Sequence, residues 1–140
     1  MSRSSGPAIS WPSRNTKPPD TARKLAGPAL YGTYAVADFH TEANAEAKAF
    51  AAKYQAAYNS SPDFFASWPY DAIHVVANAI TAAHSVEPKD IRAALLAVKG
   101  YHGVEGTYDF DQNGDGLHGY NIVKNDNGNI VVDKRIDFSD

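Results

Sequence analysis

The sequence predicts an α/β fold whose elements follow the order strand, three helices, strand and C-terminal β-hairpin. Three observations carry this prediction. A β-branched and aromatic run lies at residues 30–37, apolar residues recur at helical spacing in three stretches between residues 41 and 100, and Asn-Gly separates two apolar runs near the C-terminus. The length of 140 residues fits one domain or a large piece of one.

Composition excludes several classes of protein. Hydrophobic residues make up 44% of the chain and charged residues 21%, which is ordinary for a globular domain and excludes wholesale disorder. No apolar run approaches the roughly 18 residues of a membrane-spanning helix. The absence of cysteine excludes disulfides and thiolate metal sites. A net charge of −3 is unfavourable for binding the negatively charged backbone of a nucleic acid, so we predict no nucleic-acid partner.

Residues 1–24 are predicted to be a disordered leader in front of a folded region at residues 25–140. Pro7, Pro12, Pro18 and Pro19 lie here among Ser, Arg and Lys, and proline removes backbone donors and fixes φ. The leader contains no apolar stretch of the roughly 7–15 residues that a secretory signal needs, so no signal peptide is predicted.

The first strand is predicted over Leu30–Ala37, where β-branched and aromatic residues dominate. Thr41 is the predicted N-cap of a helix that ends near Tyr58, since the Asn-Ser-Ser-Pro sequence that follows stops a helix. The buried stripe of this helix is predicted from helical spacing to comprise Ala47, Phe50, Ala51, Tyr54, Ala57 and Tyr58.

The second helix is predicted to begin near Pro69, where a missing N–H costs nothing, and to end near His84. Its buried stripe is predicted to comprise Tyr70, Ile73, Val76, Ala77 and Ile80. A third, short helix begins at Pro88 and ends before Gly100.

The C-terminal part has β character. Val104–Phe110 is the next strand candidate, and a hairpin follows, in which Asn127-Gly128 separates the apolar runs at residues 120–123 and 130–132.

One loop resembles half of a calcium site. Asp111, Asn113 and Asp115, followed by Gly116, place oxygen ligands at alternate positions, as a hard cation prefers. The twelfth position of such a loop holds a bidentate Glu, and here it is Ile122. A tight turn held by Asp and Asn side chains is therefore the favoured interpretation, and no metal site is predicted.

Catalysis has no candidate group of residues. The histidines lack the i, i+4 spacing of a helical zinc site, and no glycine-rich phosphate loop or nucleophile elbow occurs. Asp71 is interpreted as a carboxylate in the favourable first turn of a helix. We therefore predict that the protein is not an enzyme and needs no cofactor.

The aromatic cluster at residues 64–70 leaves two interpretations open. Aromatic residues at a helix entrance commonly close a core. Alternatively, one or two of them wall a pocket for a small molecule.

An ordered series of residues resembles the C-terminal part of the type I periplasmic binding proteins, in the branched-chain amino-acid (Leu/Ile/Val) group that serves ABC importers. The series covers roughly residues 25–140, and no single piece of it is specific. It comprises Phe50, Tyr54, Tyr58, Pro62-Asp63, Tyr70-Asp71-Ala72, Ala79-Ile80, Pro88, Ile91-Arg92, Ala94-Leu95, Gly100-Tyr101, Gly103-Val104, Gly106, Phe110-Asp111 and Gly114-Asp115-Gly116.

This resemblance implies a fragment of a fold in which two α/β lobes hold a ligand between them. It implies a periplasmic, solute-binding component of an importer, with an amino acid or similar solute and a transporter permease as partners. Phe65 is then the aromatic residue that faces the ligand, with Trp68 a weaker neighbour. The residues that clamp an amino acid in the family have no counterpart in this sequence, so we expect binding no tighter than about millimolar.

A second class of function stays open beside the first. The chain is alternatively a structural or interaction module that folds by dimerisation or strand exchange. The reason is that Leu30–Ala37 and the terminal hairpin are expected to lack the neighbours that the family fold would provide. This alternative predicts a homodimer.

Overall fold

The computed structural model describes residues 24–136. The predicted leader therefore lies outside the described residues except for Lys24. A 3₁₀ helix spans Gly27–Leu30, with proline at its start. Gly32 then turns the chain with a φ of 79°, so β1 spans Tyr34–Ala37 and begins four residues later than predicted.

Two C-terminal strands, β5 at Tyr120–Asp126 and β6 at Asn129–Ile136, join β1 in the main sheet. The three strands are antiparallel and lie in the order β1, β5, β6. Asn127 and Gly128 connect them with φ values of 51° and 97°, the left-handed conformation that a two-residue hairpin turn requires. The predicted hairpin is confirmed.

The strands find their partners within the chain. In the register of β1 with β5, Tyr34 lies opposite Lys124 and Ala37 lies opposite Asn121. Asn121 is fully buried, and its amide donates to the backbone oxygens of Ala37 and Asp38 at 3.2 and 3.1 Å. The expectation that the first strand and the hairpin lack neighbours was therefore wrong, because β1 pairs with β5 of the hairpin.

Helix α1 spans Ala45–Tyr58. Its N-cap is Asn44, whose side chain accepts a 2.6 Å hydrogen bond from the backbone N–H of Ala47, and not the predicted Thr41. Asn59 ends the helix in the left-handed conformation.

Helix α2 spans Phe64–Ala83, so the predicted start at Pro69 was wrong by five residues. Asp63 is its N-cap and accepts from the N–H of Ala66 at 3.3 Å. The capping aspartate outweighs the proline signal, and Pro69 sits inside the helix, where it leaves the Phe65 carbonyl without its helical donor.

The buried face of α2 also differs from the prediction. The residues that α2 buries are Ser67, Asp71, Val75 and Ala79. Ile73 and Val76, predicted to be buried, are 70% and 42% exposed. The helix thus turns a partly polar face inward and leaves an apolar face to solvent.

The remaining elements close one end of the fold. Helix α3 spans Pro88–Leu96 and packs against α2. A small antiparallel sheet follows, with β2 at Tyr101–His102, β3 at Thr107–Phe110 and β4 at Gly116–Leu117. The predicted strand over Val104–Phe110 begins only at Thr107, since residues 103–106 form a turn closed by a 2.8 Å bond from the N–H of Gly103 to the oxygen of Gly106.

The hydrophobic core lies where α1 meets α2 and this turn. It is formed by Phe39, Ala47, Phe50 and Val104, with Tyr54, Ala66 and Tyr70 packed against it. Within the described residues, no helix is long and apolar enough to cross a membrane.

Candidate functional site

Phe65 lies in the first turn of α2 and is 80% exposed. It borders an open groove of about 780 Å³ between α1 and α2. The groove's other aromatic walls are Phe50, Tyr54, Tyr58 and Tyr70, and its charged members include Lys53 and Asp63. An apolar wall with a few polar groups at its margin suits a small solute that has both apolar and charged parts.

Trp68 lies one turn further along α2 and is 59% exposed. It lines a second, smaller cavity of about 350 Å³, together with Leu95, Phe110 and His118. Phe64 contacts both predicted site residues, with ring centroids 5.7 Å from Phe65 and 6.2 Å from Trp68. The structure thus places the two residues on neighbouring turns of one helix, but against different cavities.

Asp71 lines the smaller cavity, and its interpretation as a carboxylate in the first turn of a helix was wrong. It lies in the middle of α2, is 1% exposed, and accepts from the backbone N–H groups of Val104 and Glu105 at 2.9 and 3.1 Å. Burial raises the pKa of Asp71, while these two donors act in the opposite direction. The carboxylate therefore ties α2 to the β2–β3 turn.

Gly103 makes this close approach possible. A Cβ atom at Gly103 would stand 2.5 Å from Oδ2 of Asp71 and 2.8 Å from a ring carbon of Tyr108. Only a residue without a side chain fits between the helix and the strand at this point.

Glu105 is the buried acidic residue that sequence reasoning missed. It is 1% exposed, and its oxygens lie 2.8 Å from the hydroxyl of Ser67 and 2.9 Å from that of Tyr108. Burial raises the pKa of Glu105 and also that of Tyr108. Nothing local in the sequence Gly-Val-Glu-Gly indicates burial, because a charged residue in a glycine-rich turn is ordinarily exposed.

The loop at residues 111–116 is a turn stabilised by its own side chains. Oδ1 of Asp111 accepts from the N–H groups of Asn113 and Asp115 at 2.8 and 2.9 Å. These backbone donors, that of Asp115 foremost, hold the pKa of Asp111 below its usual value. The favoured turn interpretation is confirmed. Within residues 24–136, no three His, Asp or Glu side chains are grouped to hold a metal ion.

An α/β fold with aromatic-walled grooves is typical of a protein that binds small molecules. The chain belongs to the periplasmic binding protein family, since the model of that family matches residues 19–129. No protein with a curated description matches the chain. The family consists of solute-binding proteins of ABC transporters, which act outside the cytoplasm and are not enzymes.

Solved structures agree with this assignment. A leucine binding protein from Thermotoga maritima superposes with a TM-score of 0.70 at 25% identity, covering 84% of this chain and 34% of its own. The substrate binding protein of a branched-chain amino acid transporter from Streptococcus pneumoniae, in complex with isoleucine, gives 0.64 at 30% identity, covering 75% of this chain and 30% of its own.

A third structure shares the fold at lower identity. It is the solute binding protein of an ABC transporter from R. palustris in complex with benzoate, with a TM-score of 0.65 at 24% identity, covering 81% of this chain and 32% of its own. The chain spans about a third of the length of the solved structures it matches. The predicted fold, a fragment of the type I periplasmic binding protein fold, is thereby confirmed.

Proposed function

We propose that the chain is a solute-binding part of an ABC importer for branched-chain amino acids or related small solutes. It would act in the periplasm, deliver its solute to a permease, and have no catalytic activity of its own. The observation that carries the proposal is the exposed ring of Phe65 on an aromatic-walled groove, in a chain of this family. Leucine, isoleucine and benzoate all present an apolar body that such a wall accepts, together with a carboxylate.

Weak binding is expected from this segment alone. An amino acid carries two charges, and removing both from water is costly unless fixed polar partners replace the water. The groove has Lys53 and Asp63 at its margin, and neither is buried. Affinity would then come mainly from the apolar wall, which corresponds to a dissociation constant of about 1 mM, or about −4 kcal/mol.

An NMR titration with isoleucine and with benzoate tests the proposal. We expect saturable shifts in the millimolar range at the amides around Phe65, and their loss in Phe65→Ala. Trp68→Ala should weaken binding less, because Trp68 lines the other cavity. Val86→Ala, a change of another exposed apolar residue, is the control. Shifts that persist in Phe65→Ala would contradict the assignment of this residue, and a micromolar constant would contradict the weak-binding argument.

A second candidate function is an interaction module that dimerises. The observation that favours it is the exposed apolar face of α2, which we define as Phe65, Pro69, Ile73 and Val76. The only Asp, Glu, Lys or Arg in this helix is Asp71, which is buried. Two copies of this face would therefore meet without charge repulsion, in a symmetric interface.

Sedimentation at high micromolar concentration tests this candidate. If two copies pair through α2, the chain should sediment as a dimer, and Ile73→Lys should convert it to a monomer because it places a charge in the interface. Thr81→Lys puts the same charge on another face of the same helix and should leave the dimer intact. A monomeric wild-type chain would dismiss this candidate.

A further inference from the structure

Glu105 is enclosed by hydroxyl groups from two elements. On one side, Oε1 lies 2.8 Å from Oγ of Ser67, which α2 supplies. On the other, Oε2 lies 2.9 Å from the phenol oxygen of Tyr108 on β3. Ser67 is fully buried and Tyr108 is 7% exposed. This carboxyl group therefore lies at the junction of the helix and the small sheet, away from bulk water.

The hydrogen-bond partners of Ser67 favour the protonated state of this carboxyl group. The hydroxyl of Ser67 also lies 3.2 Å from the carbonyl oxygen of Phe64, and a hydroxyl has a single proton to donate. If Glu105 is ionised, Ser67 leaves one of its two acceptors unserved. If Glu105 carries a proton, it donates to Ser67, Ser67 donates to Phe64, and Tyr108 donates to the second oxygen of Glu105. Each of the two contacts of Ser67 then has one proton, while the hydroxyl of Tyr108 also has Asp71 as a hydrogen-bond partner.

Electrostatics favours the same state. Burial is the largest influence that raises the pKa of Glu105, and the charge of Asp71 on α2 adds to it. The two hydroxyl donors act in the opposite direction, as does a positive charge on His118, which lies between β4 and β5. The guanidinium of Arg135 on β6 lies against Gly106, the neighbour of Glu105, and a positive charge there favours the ionised form.

Asp71 is the member of the pair better suited to keep a negative charge. It accepts from two backbone N–H groups, which favour the ionised form, and His74 on α2 acts in the same direction. Burial raises the pKa of Tyr101 on β2, and the charge of Asp71 adds to this effect. With Asp71 ionised, a second charge on Glu105 would be repelled in a buried setting.

We propose that Glu105 is a proton-binding site that joins α2 to the β2–β3 turn, and that this joint loosens when the proton leaves. The first turns of α2 carry Phe65 and Trp68, so the proton would act on the part of the helix that borders both cavities. A neutral buried acid contributes stability that is complete below its pKa in the unfolded chain, about 4.5. That stability is lost as the pH rises toward the higher pKa of the folded chain.

A direct test follows the carboxyl carbons of glutamate by NMR across pH 4–8. The chain has four glutamates, Glu42, Glu46, Glu87 and Glu105, so the signals are few. We expect one signal to titrate well above 4.5 and to be absent from Glu105→Gln. Titration of the Glu105 signal at or below that value would overturn the proposal, and this measurement does not depend on the stability of any variant.

A second test compares unfolding of the wild type, Glu105→Gln and Glu46→Gln. The amide of glutamine donates to Ser67 as the protonated acid would. The free energies of unfolding of Glu105→Gln and the wild type should therefore be equal at acid pH. As the pH rises, the unfolding constant of the wild type should increase by up to tenfold per pH unit relative to Glu105→Gln. Glu46 is exposed on α1, and its variant should follow the wild type. A wild type that stays more stable than Glu105→Gln at high pH would refute the proposal.

Discussion

Phe50→Ala is expected to lower the free energy of unfolding by about 3–5 kcal/mol, because it removes the central ring of the core. Phe50 is 7% exposed. Its ring centroid lies 4.7 Å from that of Tyr70, 5.8 Å from that of Tyr54 and 6.1 Å from that of Phe39. The cavity left behind would lie between the rings of Phe39, Tyr54 and Tyr70. These rings keep the surrounding elements apart, so the cavity cannot close.

Denaturant unfolding measures this loss. The denaturant concentration at the midpoint of unfolding should fall, while the slope of the free energy of unfolding against denaturant concentration stays constant. This combination indicates a change in stability and not in the surface exposed on unfolding. Phe65→Ala is the matched control, because the same side chain is removed from an 80% exposed position and should cost no more than about 0.5 kcal/mol. Equal losses in the two variants would show that Phe65 is covered in solution, or that Phe50 is not central to the core.

Local chemistry explains which elements the sequence predicts well. The hairpin follows from Asn127-Gly128, two residues that accept positive φ, between apolar runs. The existence of all three helices follows from apolar spacing. The start of α2 does not, since Asp63 and Pro69 are both valid N-terminal signals. The earlier start agrees with the cap that Asp63 forms on Ala66 and with the buried contact of Ser67 with Glu105, which no local pattern reveals.

Long-range contacts explain what the sequence does not reveal. Asp71 meets the backbone of Val104 and Glu105 across separations of 33 and 34 residues, and Ser67 meets Glu105 across 38. The buried face of α2 is partly polar, so the spacing of apolar residues does not indicate that it is buried. The same spacing predicted that the apolar face of α2, which is exposed, belongs to the core. The family resemblance predicts Phe65 as a site residue from its position ahead of the Tyr-Asp-Ala sequence. That Phe65 and Trp68 line different cavities became visible only in the structure.

Asp71→Ala is expected to lower the free energy of unfolding by about 2–6 kcal/mol. The substitution leaves the N–H groups of Val104 and Glu105 without their acceptor, and each unsatisfied buried donor costs about 1–3 kcal/mol. Val104 belongs to the core and is 3% exposed, so water reaches its N–H poorly. The loss should be concentrated at the junction of α2 with the β2–β3 turn.

Hydrogen exchange and denaturant unfolding together test this prediction. The amides of Val104 and Glu105 should lose protection in Asp71→Ala well beyond the rest of the chain. Asp63→Ala is the control, because it removes an aspartate that bonds to only one N–H, at the exposed N-cap of the same helix, and should cost about 1 kcal/mol. A similar small cost for Asp71→Ala, with both amides still protected, would mean that water replaces the carboxylate, and that Asp71 does not hold the helix to the turn.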